Sequence, residues 1–402
     1  MLKTLRSELQ EHWKKKGFDQ PTAIQEQLMN ESMEGHSVIA ISPTGTGKTL
    51  AYLLPILNKI EANKQLQAII LAPSQELAIQ IADVAREWGK LVNIKTLALI
   101  GGANIRRQID RLKEKPELIV ATPGRLQELQ NKSNKLKVHT VTTIVFDEAD
   151  YLLKDEHKSS IQQIKQSLMR DVQLIYTSAT MPTIILDELK RQEDSLKLLE
   201  VEGENSSDQV QHVYLTVNNR DKVRELKRLS QVEDMRAIVF FEQIHQIEEV
   251  AAKLIYEKVS VVVLHSEASK MEREYAIRAF SHHEVTYLLT TDVASRGMDI
   301  DNVPYVIHYN AVDNIQTYLH RSGRTGRMKA KGTVISLVNQ QELRDLIKLV
   351  HLKKIQLTER ILKDAKLQSV NAENKVGVKR KSEKKEVYKK KHQPNRKRQQ
   401  NK

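Results

Sequence analysis

The chain has 402 residues, of which 40% are apolar and 29% charged, with a formal net charge of +13 and no cysteine. This length and composition indicate a folded protein of two domains, and they exclude disulfide bonds, thiolate metal sites and cysteine nucleophiles. No stretch reaches the roughly 18 apolar residues of a membrane span, and the first residues lack the apolar core of a signal peptide, so we expect a cytoplasmic protein without membrane contact.

Short apolar runs alternate with amphipathic stretches along the first half of the chain. The helical stretches include residues 49–60 and 76–92, which place apolar side chains at helical spacing. Strands alternating with helices indicate βαβ units and a parallel sheet covered on both faces. The predicted strands are residues 36–41, 67–72, 94–100, 117–123, 142–150 and 172–180.

Residues 42–49, SPTGTGKT, lie between a predicted strand and a predicted helix, which is the context of a phosphate-binding loop. Ser42 replaces the first glycine of the usual pattern G-x-x-x-x-G-K-[ST]. We expect Lys48 to reach the outer phosphates and the Thr49 hydroxyl to ligate Mg²⁺. A glycine-rich turn without a ligand is the alternative. The predicted ATP-binding loop consists of Ser42, Pro43, Thr44, Gly45, Thr46, Gly47, Lys48 and Thr49.

An acidic pair follows the apolar run TTIVF. Asp147 is in a position to hold Mg²⁺ through water, and Glu148 to orient and deprotonate the water that attacks the γ-phosphate. The alternative to a catalytic role is that the two acidic residues belong to a surface loop or cap a helix. ATP hydrolysis, with ATP and Mg²⁺ as cofactors, is the chemistry that this arrangement predicts.

A polar, turn-rich segment at residues 201–209 interrupts the alternation and predicts a linker. The alternation then resumes, with a predicted helix at residues 245–258. The sequence therefore predicts two successive α/β domains, residues 1–204 and 205–368, with a cleft between them. The strands predicted in the second domain are residues 210–217, 236–241, 260–266, 285–292, 305–310 and 332–338.

The positive charge is concentrated at the C-terminus. Between Lys375 and Lys402 there are thirteen Lys/Arg and two Glu, so this segment carries +11 of the net charge. It has no apolar periodicity and cannot bury enough surface to fold. We predict that residues 369–402 form a disordered basic tail that binds RNA; a solvated tail that only aids solubility is the alternative.

Nine short motifs occur in a fixed order between residues 17 and 327. They are GFDQPTAIQ (17–25), SPTGTGKT (42–49), PSQELA (73–78), GG (101–102), TPGR (122–125), DEAD (147–150), SAT (178–180), TDVASRGMD (291–299) and HRSGRTGR (320–327). In this order the motifs make the chain resemble the DEAD-box ATP-dependent RNA helicases. The resemblance implies two tandem RecA-like domains of the P-loop NTPase fold, RNA-dependent ATPase activity and unwinding of short RNA duplexes.

The resemblance also implies roles for single residues. Phe18 would stack on adenine, Gln25 would pair with the edge of the base, and Asp299 would contact the ribose. Arg324 and Arg327 would enter the nucleotide site from the second domain and stabilise the charge that develops on the γ-phosphate.

Coupling between ATP and RNA is implied for Asp150, Ser178, Thr180 and His320. Direct RNA contacts are implied for mostly small residues, which suit sugar and phosphate groups better than base edges, so recognition should be largely independent of sequence. These residues are Pro73, Gly101, Gly102, Thr122, Gly124, Arg125, Thr291 and Arg296.

The chain departs from the family pattern at a few positions. Gln75 stands where arginine is usual, and Ser266 and Lys270 stand where glycine and glutamine are usual. The segment after Tyr309 lacks the common proline. These departures put the RNA contacts at these positions in question and leave the ATPase residues intact.

Three other functions share parts of this pattern. They are a DNA helicase or translocase on the same tandem core, an ATP-regulated RNA clamp that turns over rarely, and a phosphate-loop ATPase without a nucleic-acid partner. Our working hypothesis is a monomeric RNA helicase that acts on ribosomal precursor particles in ribosome biogenesis.

Overall fold

The computed structural model describes residues 2–43, 45–193, 195–201, 210–265, 267–292, 300, 303–326 and 330–369, with the backbone alone at Asp155 and Lys270. The predicted tail from residue 370 onward and the predicted linker after Val201 lie outside these residues. So do the predicted site residues Thr44, Arg296, Asp299 and Arg327, and the departure at Ser266.

The first domain is built on a seven-stranded sheet with the strand order β3-β4-β2-β5-β6-β1-β7, and neighbouring strands are parallel. Its strands are β1 (Val38–Ile41), β2 (Ala68–Leu71), β3 (Thr96–Leu99), β4 (Leu118–Ala121), β5 (Thr143–Asp147), β6 (Gln173–Ser178) and β7 (Lys197–Glu200). The central strands are buried on both faces, which explains why their sequences read as continuous apolar runs.

Nine helices cover the two faces of this sheet in the described part of the domain. They are α1 (Ser7–Lys15), α2 (Ala23–Glu34), α3 (Lys48–Lys59), α4 (Gln75–Leu91), α5 (Ile105–Leu112), α6 (Pro123–Lys132), α7 (Ala149–Leu152), α8 (Asp155–Gln166) and α9 (Thr183–Gln192). Helices α1 to α4 pack on one face and α5 to α9 on the other. Side-chain caps from Thr22, Ser74 and Asn104 begin α2, α4 and α5.

The second domain is built on an eight-stranded sheet with the strand order β10-β11-β9-β12-β13-β8-β14-β15. Its strands are β8 (Val210–Thr216), β9 (Ala237–Phe241), β10 (Val261–Leu264), β11 (Tyr287–Thr291), β12 (Tyr305–His308), β13 (Gly332–Val338), β14 (Leu357–Lys363) and β15 (Lys366–Ser369). Helices α10 (Lys222–Leu229) and α11 (Ile244–Tyr256) cover one face. Helices α12 (Lys270–Ser281), α13 (Ile315–Ser322) and α14 (Gln340–His351) cover the other.

Two parallel-sheet α/β domains in tandem confirm the predicted fold class. Strands β7, β14 and β15 are additions that the apolar runs did not predict, because these strands are partly exposed and rich in charged residues. Strand β14 runs parallel to β8 at residues 357–359 and then forms an antiparallel hairpin with β15. Ser369, the first residue of the predicted tail, is the last residue of this hairpin.

The carboxyl ends of parallel strands meet at one edge of each sheet, and the loops at that edge carry the sequence motifs. The phosphate loop follows β1, the DEAD residues end β5 and the SAT residues end β6. No helix in the described ranges is both long and apolar enough to cross a membrane.

Candidate active site

The phosphate loop is closed by hydrogen bonds among its own residues. The Ser42 hydroxyl donates to Thr46 Oγ1 at 2.8 Å, and Thr46 Oγ1 donates to the Pro43 carbonyl at 2.9 Å. Ser42 is fully buried. Serine in place of the usual glycine therefore adds a cross-loop hydrogen bond and leaves the turn intact.

Two glycines give the loop its curvature. Gly45 has a φ of +80° and Gly47 a φ of +86°, and Gly47 is the residue that caps α3. A side chain at Gly47 would also collide with the Gln25 amide, since its Cβ would lie 2.2 Å from Nε2. Only glycine fits this position.

Lys48 begins helix α3, and its ammonium group lies over the loop. It donates to the carbonyl oxygens of Ser42 and Pro43, the latter at 2.8 Å. A cation held there, beside the helix N-terminus, suits a phosphate group.

Helix α2 braces the phosphate loop from one side. The Thr22 hydroxyl donates to the Thr46 carbonyl at 2.7 Å, and Gln25 Nε2 donates to the Gly47 carbonyl at 3.2 Å. Gln25 Oε1 also accepts from the Thr22 N–H in a capping box. Each end of the Gln25 amide thus has one protein partner and one further hydrogen-bonding position for a base edge.

Phe18 lies just before α2, with 39% of its surface exposed. Its ring packs edge-on against Trp13, with ring centroids 4.9 Å apart. An aromatic ring that is held on one side and exposed on the other is suited to stacking, so the adenine contact of Phe18 stays a prediction with a compatible geometry.

Asp147 ends strand β5 and is buried. Its Oδ2 accepts from the Tyr52 hydroxyl at 3.0 Å, and its Oδ1 accepts from the Thr177 hydroxyl at 2.6 Å and from the Glu148 N–H at 3.0 Å. The Thr49 side chain also lies close enough to the Tyr52 hydroxyl to affect its pKa. Tyr52 therefore lies beside Thr49 and Asp147, the two residues predicted to hold Mg²⁺.

Burial raises the pKa of Tyr52 well above its usual value, and the negative charge of Asp147 adds to the shift. The phenol therefore stays protonated and acts as a donor to Asp147. It is a positioning group and cannot serve as a base.

Glu148 has a left-handed backbone, with φ and ψ both at 51°, and caps the short helix α7. Such a conformation is uncommon for a residue other than glycine and clusters at functional sites. It turns the chain sharply between β5 and α7.

The SAT residues and the last DEAD residue form one network. The Ser178 hydroxyl donates to Asp150 Oδ1 at 2.6 Å and lies 2.5 Å from the Thr180 carbonyl oxygen. The Thr180 N–H in turn donates to Ser178 Oγ at 3.2 Å. His320 of the second domain approaches the same carboxylate, with 3.6 Å between its Nε2 and Asp150 Oδ2. The structure thus brings together all four residues to which a coupling role was assigned.

Helix α13 of the second domain carries His320 and ends at Ser322, two residues before Arg324. Arg321 in this helix forms a two-point ion pair with Asp292, with both N–O distances at 2.7 Å. Thr291, a predicted RNA contact, ends β11 next to Asp292 and is buried. The ion pair therefore fixes the helix of the arginine motif to the strand end predicted to bind RNA.

The predicted RNA contacts of the first domain lie along one side of the sheet. Pro73 follows β2, the two glycines follow β3, and residues 122–125 follow β4, and these three strands are neighbours in the order β3-β4-β2. The residues come from separate parts of the chain, and the topology places them side by side at the carboxyl edge.

Gln75, the residue found where arginine is usual, lies against the glycine pair. A side chain at Gly101 would place its Cβ 3.0 Å from Gln75 Nε2, and one at Gly102 would lie 3.4 Å from Oε1. The Gln75 amide thus packs against the backbone of this loop, and the φ of +68° at Gly102 is the feature that favours glycine there.

The Arg125 side chain is held by protein groups. Its Nη1 donates to the Ala103 carbonyl at 2.9 Å and to Gln108 Oε1 at 3.2 Å, and its Nε lies 3.1 Å from Glu128. Arg125 thus supports the loop after the glycine pair, and its contact with RNA remains a prediction.

A second contact between the domains involves Glu76 at the start of α4. Its carboxylate forms a half-buried ion pair with Arg273 of α12. Arg273 and Tyr52 are functional candidates that the sequence reasoning missed. Their partners are distant along the chain, and the only local signal was that Tyr52 follows Lys48 by one helical turn.

A carboxylate and histidine cluster at the opposite edge of the first sheet does not qualify as a metal centre. Glu31, Glu34 and His36 lie close together there. The Lys197 ammonium is 2.7 Å from Glu31 Oε2 and 3.0 Å from His36 Nδ1. Lysine thus already supplies the positive charge to this cluster.

Two family models match the chain. Residues 22–189 match the DEAD/DEAH box helicase model, and residues 221–329 match the helicase conserved C-terminal domain. The probable ATP-dependent RNA helicase YfmL of Bacillus subtilis is 45% identical over 372 residues, which cover 92% of this chain and 98% of that protein. The DEAD-box ATP-dependent RNA helicase CshC of Bacillus cereus is 43% identical over 348 residues, covering 86% and 89%.

The fold is also similar to solved structures of Dbp5 from S. cerevisiae. Dbp5 bound to RNA and ADP BeF3 gives a TM-score of 0.79 at 27% identity, covering 94% of this chain and 97% of that one. A Dbp5 variant bound to Nup159, Gle1, IP6 and ADP covers 95% and 100% at 27% identity but gives a TM-score of 0.63. The two domains of this chain are therefore arranged more like those of the Dbp5 complex with RNA and ADP BeF3.

Proposed function

The chain belongs to the DEAD-box ATP-dependent RNA helicases, and we propose that ATP and RNA close its two domains together on one RNA strand, which separates short duplexes. The observation that carries this proposal is the approach of His320 to Asp150. It connects the arginine motif of the second domain to the DEAD and SAT residues of the first.

ATP binds at the phosphate loop in this proposal. Backbone N–H groups of residues 42–49 and the N-terminus of α3 face the phosphates, and Lys48 exchanges its carbonyl partners for phosphate oxygens. Phe18 and Gln25 recognise adenine, which favours ATP over other nucleotides, and Asp299 contacts the ribose.

The residues present fit Mg²⁺, because the hard oxygen ligands of Thr49 and Asp147 both lie beside the Tyr52 hydroxyl, which donates to Asp147. When bound, the ion would neutralise charge on the outer phosphates. The protein's part is to keep the Asp147 carboxylate in place, which the hydroxyls of Tyr52 and Thr177 do.

Hydrolysis is assigned to Glu148, Arg324 and Arg327. Glu148 orients the attacking water and accepts its proton. The two arginines stabilise the charge that develops on the transferred phosphoryl group when the domains are closed, an effect worth about 10³ to 10⁵ in rate in related phosphoryl-transfer enzymes. Loss of the γ-phosphate then removes the bridge between the domains and releases RNA.

RNA contacts are assigned to the loops at the carboxyl edges of both sheets. The first domain uses Pro73, the glycine pair and residues 122–125, and the second uses Thr291 and Arg296. Small residues and backbone amides read the sugar and phosphate groups, so the binding is largely independent of base sequence. Because Gln75 is neutral, the affinity of the first domain for RNA is lower than with arginine at this position. The basic tail compensates for part of that lower affinity.

We place the domain boundaries at residues 1–204, 205–369 and 370–402, with Ser369 counted in the second domain because it ends strand β15. We further propose that the protein is a cytoplasmic monomer acting on ribosomal precursor particles. The sequence-independent RNA surface and the charge of the tail support a structured, highly charged RNA substrate. Crosslinking the protein to RNA in cells and sequencing the attached fragments tests this assignment. Fragments that come from messenger RNA alone would overturn it.

The decisive assay compares ATP hydrolysis with matched RNA and DNA strands. We expect strong stimulation by RNA and little by DNA. Equal stimulation favours the DNA helicase, and stimulation without strand separation favours the RNA clamp. An ATPase that ignores both nucleic acids contradicts the proposal.

A further inference from the structure

Helix α5 carries three exposed arginines next to the predicted RNA-binding loop. Arg106, Arg107 and Arg111 point to solvent, whereas Gln108 and Leu112 on the opposite side of the helix are buried. The helix begins three residues after Gly102, at the edge strand β3. The arginines therefore continue the carboxyl edge of the sheet beyond the glycine pair.

The orientation of this helix is fixed relative to the glycine loop. Gln108 Nε2 donates to the Ile100 carbonyl at 3.0 Å, and Gln108 Oε1 accepts from Arg125 at 3.2 Å. Asn104 caps the helix by accepting from the Arg107 N–H. Because Gln108 ties the helix to the loop, the backbone positions that carry the three arginines are fixed relative to it.

None of these arginines forms an ion pair with the acidic residues of its own helix in the described part of the chain. Other surface arginines, such as Arg86 and Arg228, form ion pairs with an acid three residues away. On α5 the Asp110 carboxylate is paired with Lys113 at 2.7 Å. Within the described ranges the structure shows no ion pair for the three arginines. Residues 104–115 hold five Lys/Arg against two acids, so the local field is positive.

The dimensions of this surface match a nucleic-acid strand. Arg111 follows Arg106 by five positions, which is about 7.5 Å along a helix. Phosphates in a stacked strand are about 3.4 Å apart along its axis, so the surface spans roughly two or three of them. Guanidinium groups are well suited to phosphates because they form paired hydrogen bonds.

We propose that the arginine face of α5 is an additional phosphate-binding surface, which engages RNA that extends beyond the glycine loop. This inference rests on the proposed function, since it needs RNA to pass that loop. It assigns to α5 the grip that Gln75 does not supply, and it predicts a preference for long strands over short ones.

The test compares the wild type with the triple variant Arg106→Gln, Arg107→Gln and Arg111→Gln. The matched control carries Arg344→Gln, Lys353→Gln and Lys354→Gln, three exposed residues on and after α14 that give the same change of charge. Binding of fluorescent oligouridylates of increasing length is measured by anisotropy with a non-hydrolysable ATP analogue, over a series of salt concentrations. Thermal unfolding checks that all three proteins are folded.

We expect the α5 variant to bind long RNA at least about tenfold more weakly at low salt. The slope of log affinity against log salt should fall by about 2, because each phosphate contact on a single strand contributes about 0.7. Short RNA and ATP should bind as in the wild type. ATP turnover at saturating RNA should also be unchanged, with a higher RNA concentration needed for half-stimulation.

Unchanged affinity and slope in the α5 variant overturn the proposal. Equal losses in the control variant also overturn it, because they would show a general effect of charge. Absence of RNA stimulation in the wild type is a separate outcome that contradicts the proposed function itself.

Discussion

His320 Nε2 lies 3.6 Å from Asp150 Oδ2, and this contact joins helix α13 of the second domain to the DEAD residues of the first. Asp150 also accepts from Ser178, whose hydroxyl contacts the Thr180 backbone. A change in the position of the second domain therefore alters the contacts of Asp150, and through Ser178 those of the SAT turn. In the proposed function, this contact is the route by which ATP and RNA bound at different loops affect each other.

Replacing His320 by alanine should weaken this coupling. We expect RNA-stimulated turnover to fall on the order of tenfold, since a residue that couples two sites contributes about 0.5–2 kcal/mol to that coupling. Basal ATP binding should remain. The control is His282→Ala, which removes an exposed histidine of the same domain. Similar turnover in the two variants would remove His320 from this role.

Tyr52→Phe should impair the use of Mg²⁺. Loss of the hydroxyl removes the 3.0 Å donor that holds the Asp147 carboxylate in place. We expect a higher Mg²⁺ concentration for half-maximal nucleotide binding and roughly tenfold slower turnover, since a hydrogen bond to a charged group is worth about 1.5–3 kcal/mol. A fluorescent nucleotide titrated with Mg²⁺ measures the binding. Tyr287→Phe, which deletes a buried hydroxyl that donates to a carbonyl of the second domain, serves as the control. Identical Mg²⁺ titrations for both variants would contradict the assignment.

Glu148→Gln should separate binding from chemistry. The amide keeps the size and the left-handed backbone position but cannot accept a proton from water. We expect ATP and RNA to bind normally while turnover falls by about 10² to 10⁴. Near-normal turnover in a single-round hydrolysis assay would exclude Glu148 as the base.

The ion pair between Glu76 and Arg273 should stabilise the closed arrangement of the domains. Arg273→Glu should weaken RNA binding in the presence of ATP, because it places two like charges together. The double variant Glu76→Arg and Arg273→Glu should recover part of the loss, and a double-mutant cycle on RNA affinity measures the interaction. Strictly additive effects would show that the pair does not couple the domains.

Stability should fall in acid because of two histidines in the second domain. Burial lowers the pKa of His212 from 6.5 to about 4 and holds the pKa of His308 well below its usual value. The unfolded chain binds protons below pH 6.5 that the folded chain does not, so the free energy of unfolding decreases from pH 6.5 towards pH 4. His212→Gln should reduce this decrease in urea titrations across that range. The same pH dependence in variant and wild type would contradict the linkage.

Much of the fold was predictable because strands covered on both faces consist of continuous apolar residues, as in β2 and β4. Strand β7 was missed because its KLLE sequence is half-exposed at the sheet edge. The motif residues were found from their order along the chain. Contacts such as Tyr52 with Asp147 or Glu76 with Arg273 depend on how distant segments pack, and no local pattern specifies that packing.

The central claim is that ATP and RNA together close the two domains. The chain has no cysteine, so Ala62→Cys in the first domain and Glu248→Cys in the second provide two exposed labelling positions. Energy transfer between the two dyes should change to the closed-state value only when RNA and a non-hydrolysable ATP analogue are both present. When ATP is used in place of the analogue, the transfer efficiency should return to the open-state value once the ATP has been hydrolysed. The same transfer efficiency with neither ligand, with either alone and with both would contradict the account.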